Sequence, residues 1–186
     1  MIRINVSKKL EVVGDARQIA FKGHAFDLDA VDRVAFWSVA LRVNGSYMGT
    51  SFWVKLSQGK LADQFVLDSK SHDRRLEEFR SAWYGLVELL EARVCPRIGE
   101  EAIATINAGG TAAFGPIIAG PDGLRARRPL ARVIPWSEVA GTTVDNQGMH
   151  VLVRRNGSEP KAKLLAGLAQ WNTVVLPRVV DRLAGA

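Results

Sequence analysis

Apolar and polar residues alternate along most of the first third of the chain. This period of two is typical of β-strands that bury one face, and the segments are rich in Val, Ile, Phe and Trp, which suit a pleated surface. Turn residues such as Asn44-Gly45 and Gln58-Gly59-Lys60 separate the segments. The pattern predicts strands within residues 2–68, at Ile2–Val6, Leu10–Val13, Gln18–Lys22, Val31–Val43, Gly49–Leu56 and Leu61–Leu67.

The period changes to 3.6 residues after Ser71. Apolar residues then recur at steps of three and four, which predicts a helix over 71–95 with one face in a core. Ser71 suits the N-cap position of this helix. Pro96 has no N–H to donate, so we expect the helix to end or kink near Arg93–Cys95.

Strand patterns return in the second half of the chain. A short helix is predicted over 99–107, and the linker Asn107–Gly110 follows it. A final helix is predicted over 167–184, with a kink at Pro177. The strands predicted within residues 112–165 are Ala112–Ile118, Gly123–Arg127, Arg132–Ile134, Val139–Val144, Met149–Arg154 and Ala162–Leu165.

Strands followed by a helix thus occur twice, which indicates a duplicated unit. The segment Phe26–Val34 parallels Ile134–Thr142, and each main helix carries a tryptophan, Trp83 or Trp171. The sequence therefore predicts an α+β, mainly β fold of two units, residues 1–110 and 111–186. It leaves open whether the halves fold independently or share one sheet.

Composition is that of an ordinary globular protein, at 47% hydrophobic and 24% charged residues. It excludes a disordered, collagenous or low-complexity chain. A lone Cys95 excludes an internal disulfide. The N-terminal residues have the wrong order for a secretory signal, and the sequence has no apolar run of about 18 residues. We therefore expect a cytoplasmic protein.

Positive charge concentrates in the second half of the chain. The net charge is +6 overall, with +1 on residues 1–110 and +5 on residues 111–186. A compact positive region attracts phosphates, anionic lipids or acidic protein surfaces. The basic residues that form it are Arg125, Arg127, Arg128, Arg132, Arg154, Arg155, Lys161 and Lys163.

Two motifs of the second half resemble those of bacterial pleckstrin-homology-like domains. They are Asp122-Gly123-Leu124-Arg125 in a hairpin and Ile134-Pro135-Trp136-Ser137-Glu138-Val139 at a strand entry. The similarity covers about residues 112–184, and the first half follows the same plan by topology. The resemblance implies a bent, partly closed antiparallel barrel in each unit, with its C-terminal helix over one open end.

The candidate binding residues fall in two groups. Arg125 and Arg127 share a strand face, and Arg128 and Arg132 flank the next turn, so these four are predicted to clamp an anion, with Arg154 nearby. Trp37 and Trp53 each follow a phenylalanine on a strand. Because adjacent strand residues face opposite sides, one member of each pair is predicted to leave the core and contact either the other domain or a partner.

Signatures of catalysis are not found in the sequence. It lacks a phosphate-binding loop, a nucleophile elbow, a zinc-protease helix motif and a dinucleotide fingerprint. The three histidines are far apart, and the only enzyme hypothesis pairs His24 or His150 with an acidic residue across strands. No cofactor and no metal are predicted.

The sequence therefore favours a non-enzymatic binding or scaffold protein that acts through protein contact or self-assembly, with a homo-oligomer as one form. The alternative is peripheral binding of anionic lipid or another polyanion by the basic cluster, which would place the protein at the inner face of the membrane. Nucleic acid is not predicted as a partner, because no RNA-binding motif is present and aromatic residues do not interleave with the basic cluster. The specific ligand or partner and the oligomeric state stay open.

Overall fold

The computed structural model describes residues 1–7, 10–70, 75–145, 148–157 and 162–185 of the chain. The fold is mainly β, with antiparallel sheets and helices, as predicted. It divides into two compact units, Met1–Cys95 and Pro96–Ala186. This division lies before the short helix, whereas the sequence predicted a boundary after Gly110.

The first unit contains one four-stranded and one three-stranded antiparallel sheet, each with its strands in chain order. The first sheet consists of β1 (Ile2–Ser7), β2 (Leu10–Gly14), β3 (Gln18–Phe21) and β4 (His24–Asp27). The second consists of β5 (Arg33–Val43), β6 (Ser46–Gln58) and β7 (Leu61–Lys70). The predicted strands are all found among them, with shifted ends.

Strand β4 was not predicted from the sequence. Only Phe26 of its four residues is buried, so the segment carries almost no alternating pattern. It pairs with β3 through a tight turn in which Lys22 and Gly23 both have positive φ, 52° and 78°. The predicted strand that ran to Lys22 therefore stops at Phe21.

Aromatic side chains fill the core of the first unit. The ring of Phe21 lies 5.1 Å from that of Phe26 and 4.8 Å from that of Phe65, between centroids. The helix α1 (Leu76–Leu89) packs on β6 and β7. Its Trp83 ring lies 5.5 Å from Phe52, and its indole N–H donates to the Trp53 carbonyl at 3.1 Å.

The helix was predicted to end or kink near Arg93–Cys95, and regular α-helix is interrupted at this place, although the chain stays helical through Pro96. A π-helical turn, Leu90–Val94, follows α1, and α2 (Cys95–Asn107) begins directly after it. Within this turn the Cys95 N–H donates to the Leu90 carbonyl, five residues earlier. The wider turn accommodates a proline, which lacks the N–H for a regular helical bond. The predicted N-cap, Ser71, lies outside the described residues.

The second unit contains two three-stranded antiparallel sheets and two helices. Helix α2 belongs here because its Gly99 lies against Val175 and Arg178. The first sheet consists of β8 (Ala112–Phe114), β9 (Ile117–Gly120) and β10 (Gly123–Ala126). The second consists of β11 (Val139–Val144), β12 (His150–Arg155) and β13 (Ala162–Gly167).

Two predicted strands of the second unit differ from the structure. The strand predicted over Ala112–Ile118 is split, because a turn at Gly115, with φ at 57°, reverses the chain. The strand predicted at Arg132–Ile134 is reduced to a single bridge between Ile134 and Leu124.

The last helix begins later than predicted. Residue Asn172 adopts φ of 60°, which interrupts helical geometry, and a short 3₁₀ turn, Thr173–Val175, precedes α3 (Leu176–Ala184). Pro177 therefore sits in the first turn of α3, where a missing N–H costs nothing. The buried side of α3, with Val179 and Val180, packs against β11.

Gly123 is fixed by a close backbone approach. Its φ is +140°, and a Cβ atom placed there would lie 2.0 Å from the Ile134 carbonyl oxygen. Gly141 has a similar φ of +118° but open space around the same position. The same substitution at the two glycines therefore distinguishes the cost of backbone strain from the cost of a steric collision.

We expect Gly123→Ala to destabilise the protein by at least about 2 kcal/mol more than Gly141→Ala. Both variants introduce an alanine at an unfavourable φ, but only the first drives a methyl group into backbone. Denaturant unfolding of the two variants and the wild type measures the difference. Equal losses would show that Gly123 and Ile134 do not approach as described.

Candidate functional site

Alternation along β5 and β6 separates two phenylalanines from two tryptophans. Phe36 and Phe52 are 8% and 4% exposed and enter the core, whereas Trp37 and Trp53 lie half-buried on the opposite face of the sheet. The structure therefore places one member of each pair outside the core, while the predicted contact of the tryptophans stays a prediction.

The two outward tryptophans form a cross-strand pair. Trp37 lies directly opposite Trp53 in the β5–β6 register, and Val66 of β7 lies opposite Trp53 on its other side. The indole rings stack with 5.3 Å between centroids and planes 3° apart. Together with Val39, which is also half-buried, these residues form what we call the tryptophan face.

The basic residues of the second unit are divided by the same alternation. Buried Leu124 precedes Arg125 on β10, so Arg125 lies on the opposite face of that strand, whereas Arg127 lies beyond the end of β10 and is exposed. Arg154 on β12 is exposed and follows buried Val153, so it too lies away from the core face. Of the four residues of the predicted clamp, Arg128 and Arg132 line a common cleft, and Arg125 and Arg127 are not among the residues that line it.

Arg128 and Arg132 do meet, in a cleft of about 250 Å³ in the second unit. We call it the arginine cleft. The bridge between Leu124 and Ile134 closes the loop that carries both residues, through N–H to carbonyl bonds of 2.9 and 2.7 Å. The residues that line the cleft are Ala126, Arg128, Ala131, Arg132, Val133, Ile134, Glu138, Arg155 and Leu164.

The charges in the arginine cleft are only partly compensated. The guanidinium of Arg155 forms an ion pair with Glu138. Among the described residues, Arg128 and Arg132 have no ion pair with an acidic side chain. Both are exposed. The cleft therefore presents two guanidinium groups to solvent, beside the ion pair of Arg155 and Glu138.

Arg155 and Glu138 were not among the predicted site residues. Arg155 lies on the same face of β12 as buried Val151 and Val153, because alternate residues of a strand share a face. The arginine cleft lies on this side of the sheet. The alternation that places Arg155 on this face can be predicted from the sequence. The approach of Arg155 to Arg128 cannot be predicted from it, because that approach depends on how the two sheets of the unit pack.

Both histidines of the enzyme hypothesis lie beside an aspartate. The His24 Nδ1 is 3.5 Å from an Asp63 carboxylate oxygen, and Asp63 also accepts a hydrogen bond from the Lys22 ammonium at 3.1 Å. The His150 Nδ1 is 2.7 Å from the Asp145 carboxylate, five residues earlier. The second pair closes the connection between β11 and β12.

The Asp145 carboxylate is held mainly by backbone. Its Oδ1 accepts hydrogen bonds from the Met149 N–H at 2.7 Å and the His150 N–H at 3.2 Å. The Met149 N–H, followed by the His150 ring, lowers the pKa of Asp145 below its ordinary value of 3.8. These contacts join Asp145, at the end of β11, to Met149 and His150, at the start of β12.

The described residues contain neither a cluster of three or more metal-ligating side chains nor a helix with the length and apolar character to cross a membrane. Cys95 is buried. Comparisons with protein-family models, with curated proteins and with solved structures found no match to the chain. The tryptophan face and the arginine cleft are therefore the two surfaces from which a function can be proposed.

We expect Asp145→Asn to lower stability at neutral pH, because the amide keeps an acceptor oxygen but loses the charge that the turn stabilises. A folded-state pKa below 3.8 means that the carboxylate stabilises the protein above that pH and ceases to do so as pH falls through the folded pKa. The difference in melting temperature between the wild type and Asp145→Asn should therefore disappear at low pH.

Thermal unfolding of wild type, Asp145→Asn and the control Asp122→Asn at several pH values measures this gap. Asp122 lies exposed in the turn between β9 and β10. A difference between wild type and Asp145→Asn that stays constant down to pH 2 would contradict the proposed charge effect.

Proposed function

We propose that the chain is a non-enzymatic binding protein built from two pleckstrin-homology-like units, which acts through protein contact, self-association included. The order of elements supports the fold assignment. In each unit an antiparallel meander is followed by a second antiparallel sheet and a helix, with four and three strands in the first unit and three and three in the second.

The stacked pair of Trp37 and Trp53 carries this proposal. The core side of the same hairpin is filled by Phe36 and Phe52, so the tryptophans are not needed to complete it. Tryptophan is enriched among the residues that contribute most to protein interfaces, because it buries a large apolar area with little loss of side-chain freedom. A half-buried pair beside Val39 and Val66 has the chemistry of an interface centre.

We expect Trp37→Lys to weaken self-association, since a charge at the centre of an apolar contact must lose its water. Light scattering over a range of protein concentrations measures the effect. The wild type should have a mass above that of the 20.3 kDa chain at high concentration, and the variant should stay nearer to one chain.

Val144→Lys is the matched control, because Val144 is 49% exposed in the other unit and the substitution adds the same charge. It should associate as the wild type does. A wild type that stays monomeric at every concentration would contradict self-association, and an equal effect of both substitutions would contradict a role for the tryptophan face.

The arginine cleft supports a second candidate function, the binding of a phosphate-bearing anion. Arg128 and Arg132 project from one short loop into the same cleft, and guanidinium groups bind phosphate oxygens in pairs. The adjacent Arg155 is held by Glu138, which leaves the loop arginines as the groups available for a ligand.

We expect Arg128→Ala/Arg132→Ala to weaken pyrophosphate binding by about tenfold or more, because each charge-assisted hydrogen bond contributes about 1.5–3 kcal/mol. Titration calorimetry at low salt measures the affinity for pyrophosphate. Arg154→Ala is the control, since Arg154 does not line the cleft. An equal loss in the control would indicate general attraction by positive charge. If the wild type binds no pyrophosphate, a weaker binding of anionic vesicles by Arg128→Ala/Arg132→Ala would assign the cleft to a lipid surface.

A further inference from the structure

The hairpin of β5 and β6 extends beyond the rest of its sheet. The last pair between β6 and β7 joins Gly49 to Lys70, whereas β5 and β6 continue to the pair Val43 and Ser46. All nine residues from 40 to 48 are exposed. We call this segment the hairpin tip.

The hairpin tip is apolar although it is exposed. Leu41, Val43, Tyr47 and Met48 are 49, 57, 36 and 48% exposed. Exposed apolar residues are common singly, but four within eight residues of one hairpin form a patch. Such a patch indicates a surface that meets something other than water.

Among the described residues, the charges on the hairpin tip and directly beside it are positive. Arg42 is the only charged residue on the tip, and Lys70 lies where β7 ends beside it. The sequence has no acidic residue between Arg33 and Asp63, while it has Arg42, Lys55 and Lys60. The nearest acid on β7 is Asp68, which pairs with Ser51 and lies farther from the tip than Lys70.

We propose that the hairpin tip inserts into the interfacial layer of an anionic lipid surface. Leu41, Val43 and Met48 enter the boundary between headgroups and acyl chains, and Arg42 and Lys70 meet the lipid phosphates. This inference depends on neither the tryptophan face nor the arginine cleft, and it names a membrane contact in the first unit.

The size of the patch favours a lipid surface over a second copy of the chain. Even at about 200 Å² for each whole side chain, four half-exposed residues offer about 400 Å². A stable protein interface uses about 800 Å² on each partner. A bilayer requires no complementary pocket, so a small projecting patch is sufficient for reversible contact.

The turn at the end of the tip holds its side chains in place. Asn44 and Gly45 have φ of 50° and 80°, as a tight two-residue hairpin turn requires. The Tyr47 hydroxyl forms a hydrogen bond with Thr50 at 2.7 Å. Tyrosine is typical of membrane interfaces, since its ring is apolar and its hydroxyl is polar.

The experiment is co-sedimentation with vesicles of phosphatidylglycerol and phosphatidylcholine, for the wild type and Leu41→Asp/Val43→Asp. We expect the partition coefficient of the variant to be at least about tenfold lower, because two apolar groups are lost and two negative charges face an anionic surface. Pure phosphatidylcholine vesicles should bind the wild type more weakly.

Val144→Asp/Leu165→Asp is the matched control. These residues are 49 and 53% exposed in the second unit, and the substitutions change the net charge equally. We expect the control to bind within about twofold of the wild type, since its residues do not enter lipid. Equal binding by wild type and tip variant, or an equal loss in the control, would overturn the proposal.

A second measurement does not depend on the stability of the variants. An environment-sensitive fluorophore on Val43→Cys should shift to the blue on addition of anionic vesicles, and the native Cys95 is buried and does not compete for the label. Vesicle binding without a shift would overturn insertion of the tip. A shift that needs no vesicles and grows with protein concentration would assign the tip to contact between copies.

Discussion

The register between β5 and β6 is the constraint on which the first unit depends. With Trp37 opposite Trp53, the phenylalanine beside each tryptophan points to the core, where Phe52 meets Trp83 of the helix. A slip of one residue would exchange the two faces, placing the larger indoles inside and the phenylalanines outside. The core, the tryptophan face and the direction of the tip would all change together.

One hairpin thus supplies three surfaces of different character. One face of the hairpin fills the core, the opposite face carries the stacked tryptophans, and its end projects past Lys70 as the apolar tip. The second unit uses a different device. There the approach of Gly123 to Ile134 closes a loop, and that closure holds Arg128 and Arg132 at one cleft.

Local signals in the sequence predicted much of this structure. The alternation of Phe36-Trp37 and the Asn44-Gly45 turn act over neighbouring residues, and both were predicted. Features that depend on distant contacts were not: the edge strand at Phe26 has one buried residue, and the arginine cleft joins a loop at Arg128 to a strand at Arg155. No local pattern encodes such an approach, because it results from the packing of two sheets.

In the β5–β6 hairpin the tryptophans face outward while the phenylalanines fill the core. Proton NMR on the intact chain with selectively labelled aromatic residues tests this arrangement. We expect nuclear Overhauser contacts between the indole rings of Trp37 and Trp53, and between the rings of Phe52 and Trp83. Contacts from the Trp37 ring to core residues such as Leu67 would show that the two faces are exchanged.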